Sequence, residues 1–290
     1  MNKFISNFIV VAILLSLAAC TDPLVDPDPS TAFHQEWPMP MNRTGYLVTG
    51  ISYYANENNH TEAVFNYDES NRLVSRVIHN TFEDYYGVEH SIMIDSFYYQ
   101  GERLYKITTE TDPSTTACQY DKLFYYDNEG RLIKTSYNNN EICYAYHNGV
   151  MDSIYVPNAP MRYTILYYDE RGNIIRTRSP EPISDGWGEP TGEYEMRTTE
   201  YGYDHNPRPN FNLDNAFVFE PIFGMGTTYP IYVRNLSKNN MIYHTDSGTA
   251  SEIWEYEYNP LGLPETMRYQ FGHLSSGNEP AYHFTYRRAE

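Results

Sequence analysis

Any chemistry in this chain would come from carboxylates, imidazoles, thiols or aromatic rings. The sequence holds no His-Glu-x-x-His zinc helix, no Gly-x-Ser-x-Gly elbow and no glycine-rich loop leading into Lys-Ser or Lys-Thr. Asp68, Asp127 and Asp169 follow Tyr-rich stretches but lack the alternating acidic ladder of a calcium loop, so they read as turn residues, not metal ligands. The 38 acidic residues leave two-carboxylate glycoside hydrolysis open without marking any pair. No catalytic residue, metal ligand or cofactor is therefore assigned. Trp187 lies in an expected loop, 179–193, among Pro180, Pro182, Gly186, Gly188, Pro190 and Gly192, and is the candidate for an exposed aromatic contact with a glycan or protein.

The N-terminal stretch carries an address. Lys3 supplies a positive start, Phe8 to Leu15 an apolar run too short to span a bilayer, and Leu17-Ala18-Ala19-Cys20 resembles a lipobox. The expectation is cleavage after residue 19 and lipidation of Cys20, which makes the membrane a partner through that lipid. Thr21 after the cysteine, in place of the Asp that retains lipoproteins at the inner membrane, implies delivery to the outer membrane. Asp22, Asp26 and Asp28 resemble a surface-export signal, with Pro23, Pro27 and Pro29 interleaved. Residues 20–44 thus read as a lipidated, Pro- and Asp-rich tether, and 45–290 as a single β domain.

The formal net charge of -18, one unit lower once Lys3 is cleaved off, excludes nucleic acid as a partner. Tyrosine is the compositional outlier, 30 of 290 residues. Much of it falls in a repeat, which favours half-buried strands over ligand contact as its main use. The clear copies are Phe65 to Leu73, Phe124 to Leu132 and Leu166 to Ile174. Weaker copies are Phe97 to Leu104, Tyr144 to Val150 and Tyr256 to Leu263. Aromatics at i and i+2 share one strand face. Asp-x-x-Gly or Asp-x-x-Asn then makes the turn, with Gly or Asn in the left-handed position. The spacing is uneven, so the pattern predicts no solenoid. It predicts an all-β meander of roughly 12–16 antiparallel strands, curled into a barrel-like or half-barrel sheet with few short helical turns. Turns are placed at 68–71, 127–130 and 169–172, and irregular structure at 205–230. The hairpin register sets residue 122 opposite 135 and residue 135 opposite 143, which keeps Cys118 and Cys143 too far apart for a disulfide.

The repeat resembles the Tyr-Asp (YD) hairpins of Rhs-type and teneurin-type shells. Over most of its length the chain resembles a Bacteroidota lipoprotein family of unknown function with a porin-like β fold. The late pattern carries that resemblance: Tyr201-Gly202-Tyr203-Asp204-His205-Asn206-Pro207, then Lys238-Asn239-Asn240, then Tyr256-Glu257-Tyr258-Asn259. Arg208-Pro209 departs from it. The resemblance implies a fold and an address, and no activity. The expected role is an outer-membrane or surface-anchored binding or structural module. The alternative is a glycan-active enzyme using unmarked carboxylates. A pore is excluded on the strands themselves: Arg131 to Tyr137 is short and carries Arg and Lys where lipid would lie.

Overall fold

The computed structural model describes residues 45–85, 87–111, 119–138, 140–185, 189–208, 236–246, 249–271 and 281–289. The expected signal peptide, Cys20, the tether, Cys118, Trp187 and most of 205–230 lie outside them. The strands are β1 (Tyr46–Asn56), β2 (Asn59–Tyr67), β3 (Leu73–Asp84), β4 (Gly87–Gln100), β5 (Arg103–Thr111), β6 (Gln119–Tyr126), β7 (Leu132–Tyr137) and β8 (Asn140–His147), then β9 (Val150–Tyr155), β10 (Tyr163–Tyr168), β11 (Ile174–Ser184), β12 (Pro190–Pro207), β13 (Asn239–Asp246), β14 (Thr249–Tyr258), β15 (Pro264–Phe271) and β16 (Ala281–Arg288). Each pairs antiparallel with its sequence neighbours, and β16 returns to β1, closing a sixteen-stranded barrel. The expected all-β meander is what forms.

The turns follow from the repeat. The Asp127 N–H donates to the Arg131 carbonyl (3.0 Å) and its carbonyl accepts from Gly130 N–H (3.1 Å). Its Oδ1 accepts from the N–H groups of Glu129 and Arg131, and its Oδ2 from Arg131 Nε. Asp68, Asp169 and Asn259 build the same turn. The fourth position is left-handed in each: Asn71 (φ 61°), Gly130 (86°), Gly172 (88°) and Gly262 (75°). This is a type I turn closed by a left-handed residue.

A bulge follows every such junction. Tyr67 faces Leu73 while Asn66 faces Ser75, leaving Val74 extra. The same slip falls at Tyr105, Ile133, Asp152, Ile175, Ile242 and Glu265, and at Thr49 where β16 meets β1. The aliphatic residue before the bulge points inward: Val48, Leu73, Leu104, Leu132, Met151, Ile174 and Met241 are at most 1 % exposed. The tyrosine facing it reaches back one hairpin. The hydroxyls of Tyr67, Tyr99, Tyr126, Tyr146, Tyr203 and Tyr286 donate to the carbonyls of Val48, Leu73, Leu104, Leu132, Ile174 and Pro264, at 2.6–3.0 Å. Burial raises the Tyr67, Tyr146, Tyr203 and Tyr286 phenols well above their ordinary range, so they stay neutral donors. Arg72, Arg103, Arg131 and Arg287 stack over Tyr99, Tyr126, Tyr146 and Tyr67.

These irregularities correct the expected register. Lys122 faces Tyr137, not residue 135, because Gly130 and Ile133 each add a residue to one side of the hairpin. Cys143 faces Lys134, not residue 135, because Tyr137 pairs directly with Asn140. Cys143 carries a free thiol. The proline-rich stretch 179–193 is also mostly strand, with Pro180 facing Met196 and Pro182 facing Tyr194. The last β11 residue paired with β10 is Arg178, so neither proline withholds an N–H from that ladder. Likewise 205–207 belong to β12.

A closed wall has one inside, and the core lies there. Ile51, Phe65, Ile78, Phe97, Phe124, Leu166, Tyr201, Trp254 and Met267 belong to one contiguous buried cluster. Residues of opposite parity face out, among them Glu62, Lys106, Asp121, Lys134, Arg176 and Glu255. The inner face also holds an ion pair: Arg76 Nε donates to Asp95 at 2.7 Å, both side chains being under 5 % exposed, and Thr109 donates to the same carboxylate. Removing one member of such a pair leaves a buried charge. Asp95→Ala is expected to cost about 3–5 kcal/mol, read as a lower urea midpoint.

The turn carboxylates set an acid limit. Burial alone would raise Asp68 and Asp127, but backbone N–H groups and the Arg72 and Arg131 guanidinia outweigh it and hold both below the usual carboxylate value. A group lowered on folding adds stability that is whole above its unfolded value and fades as pH falls through the folded one. Urea midpoints should therefore fall with acidification below about pH 4. The double variant Asp68→Asn/Asp127→Asn should flatten that fall, and Asp127→Ala should cost about 1–2 kcal/mol at pH 7.

Candidate functional site

The repeat has one exception, and a groove lies there. At seven junctions the tyrosine, six times one that reaches back and once Tyr168, stands three residues beyond the first pair of the next ladder, as in Val64 to Tyr67, Ser96 to Tyr99 and Glu200 to Tyr203. On β14 the ladder with β13 starts at Ile253, yet the tyrosine facing β15 across the turn is Tyr258, five residues on. Beyond Tyr243 and Ile253 the two strands are not paired with each other.

A groove of about 650 Å³ opens at this offset. β13 supplies Ile242, Tyr243 and Thr245, β14 supplies Ile253 to Tyr256 and Tyr258, and β12 supplies Asp204. Tyr258 donates its hydroxyl to the Asp204 carboxylate. Burial first, then that carboxylate's charge and hydrogen bond, keep the phenol neutral. The Tyr256 and Tyr258 rings lie nearly parallel, 5.9 Å between centroids. Trp254 is buried against His244, whose Nδ1 is 3.3 Å from Glu252 Oε2.

Asp204 itself is a turn residue. Its Oδ1 accepts from the N–H groups of Asn206 and Asn240, and its Oδ2 from Asn240 Nδ2. Asn240 thus repeats what Asn173 does for Asp169. Residues 205–208 and 236–239 therefore flank this junction as 170–172 fill that hairpin's turn. Their ends are clasped by Arg208 N–H on the Lys238 carbonyl and Asn239 Nδ2 on the Asn206 carbonyl. The motif fragments 201–207 and 238–240 are one turn in space.

Gly202 explains a further position. An ideal Cβ there would come within 2.0 Å of Tyr243 Cε1, so the ring lies against bare backbone. The chemistry on offer is aromatic contact plus hydrogen bonding. Asp204 is held by its turn, which leaves Glu255 as the groove's other carboxylate and disfavours a two-carboxylate mechanism here.

Both sequence candidates, Cys20 and Trp187, lie outside the described residues, so neither is placed with the groove. Sequence reading noted Asp204 and Tyr256 to Tyr258 as repeat members only, and passed over Tyr243 and Glu255. Gly202 was the available signal, a glycine where other copies carry Tyr98, Tyr125 or Tyr167.

Comparison with known proteins finds no matching family model and no matching curated protein. Among solved structures, a porin-like protein from Bacteroides uniformis is similar at a TM-score of 0.41 and 10 % identity, over 83 % of this chain and 98 % of that one. The Photorhabdus luminescens Tc holotoxin pore is similar at a TM-score of 0.16 and 12 % identity, over 78 % of this chain and 13 % of that one.

Gly202→Ala should displace Tyr243 and destabilise the barrel by about 1–3 kcal/mol. The double variant Gly202→Ala/Tyr243→Ala should recover part of that loss. A thermodynamic cycle on urea midpoints reads the coupling.

Proposed function

We propose that this chain is a lipid-anchored binding module of the outer membrane, displayed at the cell surface with its barrel outside the bilayer. The observation that carries this reading is the partition of side chains across the wall. Sixteen strands is a porin's number, yet here the contiguous apolar cluster lines the inside. Lys106, Asp121, Lys134, Arg176 and Glu255 face out, within the strands and not at their ends. A membrane-spanning wall needs an outward apolar band about 25 Å tall, and Lys or Arg at its midplane costs about 2–4 kcal/mol each. Attachment then falls to the lipid on Cys20, which the Leu17-Ala18-Ala19-Cys20 sequence supports. The uncharged, aromatic part of the β13–β14 groove supports binding over catalysis.

Cys20→Ser tests the reading. The variant should leave the membrane fraction, lose its lipid-dependent mobility shift, stay soluble without detergent and produce no conductance steps in a planar bilayer. A variant that remains in the membrane and conducts ions would overturn it.

A further inference from the structure

We propose that the β13–β14 groove binds the pyranose rings of a neutral oligosaccharide, an inference that rests on reading the chain as a binding module. A pyranose presents an apolar C–H face rimmed by hydroxyls. Tyrosine presents the complement, a flat apolar ring with a polar tip. Tyr243, Tyr256 and Tyr258 line one groove, and Tyr243, on the outer face, is 41 % exposed. The groove's volume falls within the roughly 300–1,000 Å³ of small-molecule sites.

Two of these rings are held before any ligand arrives. Tyr243 lies against the Gly202 backbone, and Tyr258 is bonded to Asp204 and Asn240. Rings fixed in advance lose little freedom on binding, which suits weak stacking contacts. Glu255 and Thr245 stand at the groove to meet sugar hydroxyls.

Charge decides which sugars fit. Among the described residues no Lys, Arg or His lines the groove, two carboxylates do, and the chain carries -18 overall. Sulfated, phosphorylated and uronate chains are repelled. A cationic ligand is disfavoured too, because the Asp204 oxygens already accept from Asn206, Asn240 and Tyr258.

The test is calorimetric titration of the full chain carrying Cys20→Ser with gluco-, xylo-, manno- and galacto-oligosaccharides, their sulfated and uronate counterparts, and an oligolysine. At least one neutral oligosaccharide should bind, and no charged probe should bind more tightly. Tyr243→Ala should weaken that binding about three- to tenfold. Tyr256 packs on the core, so Tyr256→Phe keeps the ring, and it should weaken binding less than Tyr243→Ala does. Silence across the neutral panel, or preference for a charged probe, overturns the proposal. Binding that survives Tyr243→Ala but is lost in Trp187→Ala also overturns it, while leaving the binding-module reading intact. Failure of that broader reading would show separately, as a Cys20→Ser chain that stays in the membrane and conducts.

Discussion

The barrel depends on one interaction repeated around its wall: a tyrosine hydroxyl donating to a main-chain carbonyl one hairpin back. Each bulge interrupts a ladder and leaves main-chain groups that inter-strand pairing does not serve. At six of the eight junctions the tyrosine serves one of them and fills the gap with its ring. The bulge is also what drives the aliphatic residue inward, to full burial at Leu104, Leu132, Met151, Ile174 and Met241. Turn, bulge, aliphatic plug and tyrosine are therefore one unit. The abundance of tyrosine is a structural requirement, and the groove arises where Tyr258 donates to Asp204 instead.

The wall reverses the usual assignment of faces in a barrel of this strand number. Apolar side chains pack inside, where the Arg76–Asp95 pair is enclosed among them. Outside, charge and aromatic rings alternate: Lys106 sits over Tyr98, Lys134 over Tyr125 and Arg176 over Tyr167. Such pairs set a cation against the exposed Tyr98 and Tyr125 rings, while Tyr167 is buried against Arg176.

Much of this was legible in the residues. Asp-x-x-Gly and Asp-x-x-Asn set the turns at Asp68, Asp127 and Asp169, because those side chains bond forward to backbone whatever surrounds them. The aromatic pairs at i and i+2 set the strand faces. Register was not legible, since the bulge residues Val74, Tyr105, Ile133 and Ile175 look like ordinary strand residues and reveal themselves only against a partner strand. The prolines of 179–193 misled for a related reason: their tolerance depends on the β10–β11 pairing ending at Ile165 and Arg178, a tertiary fact. The groove was invisible because it is a two-residue difference between two ladders, which no single segment encodes.

The seam between β16 and β1 repeats the bulge-and-tyrosine unit seen at the turn-joined hairpins. Val48 faces Tyr286, Thr49 is the bulge, Tyr67 reaches the Val48 carbonyl, and Arg287 takes the place over Tyr67 that Arg72 takes over Tyr99. Ala289 N–H even donates to the Gly45 carbonyl as a turn would. The wall is therefore a ring in which the seam follows the pattern of its neighbours, with the β13–β14 offset as its departure. A gene encoding such a ring can move the seam by circular permutation, or add or drop one hairpin and change the circumference, without creating an exposed sheet edge.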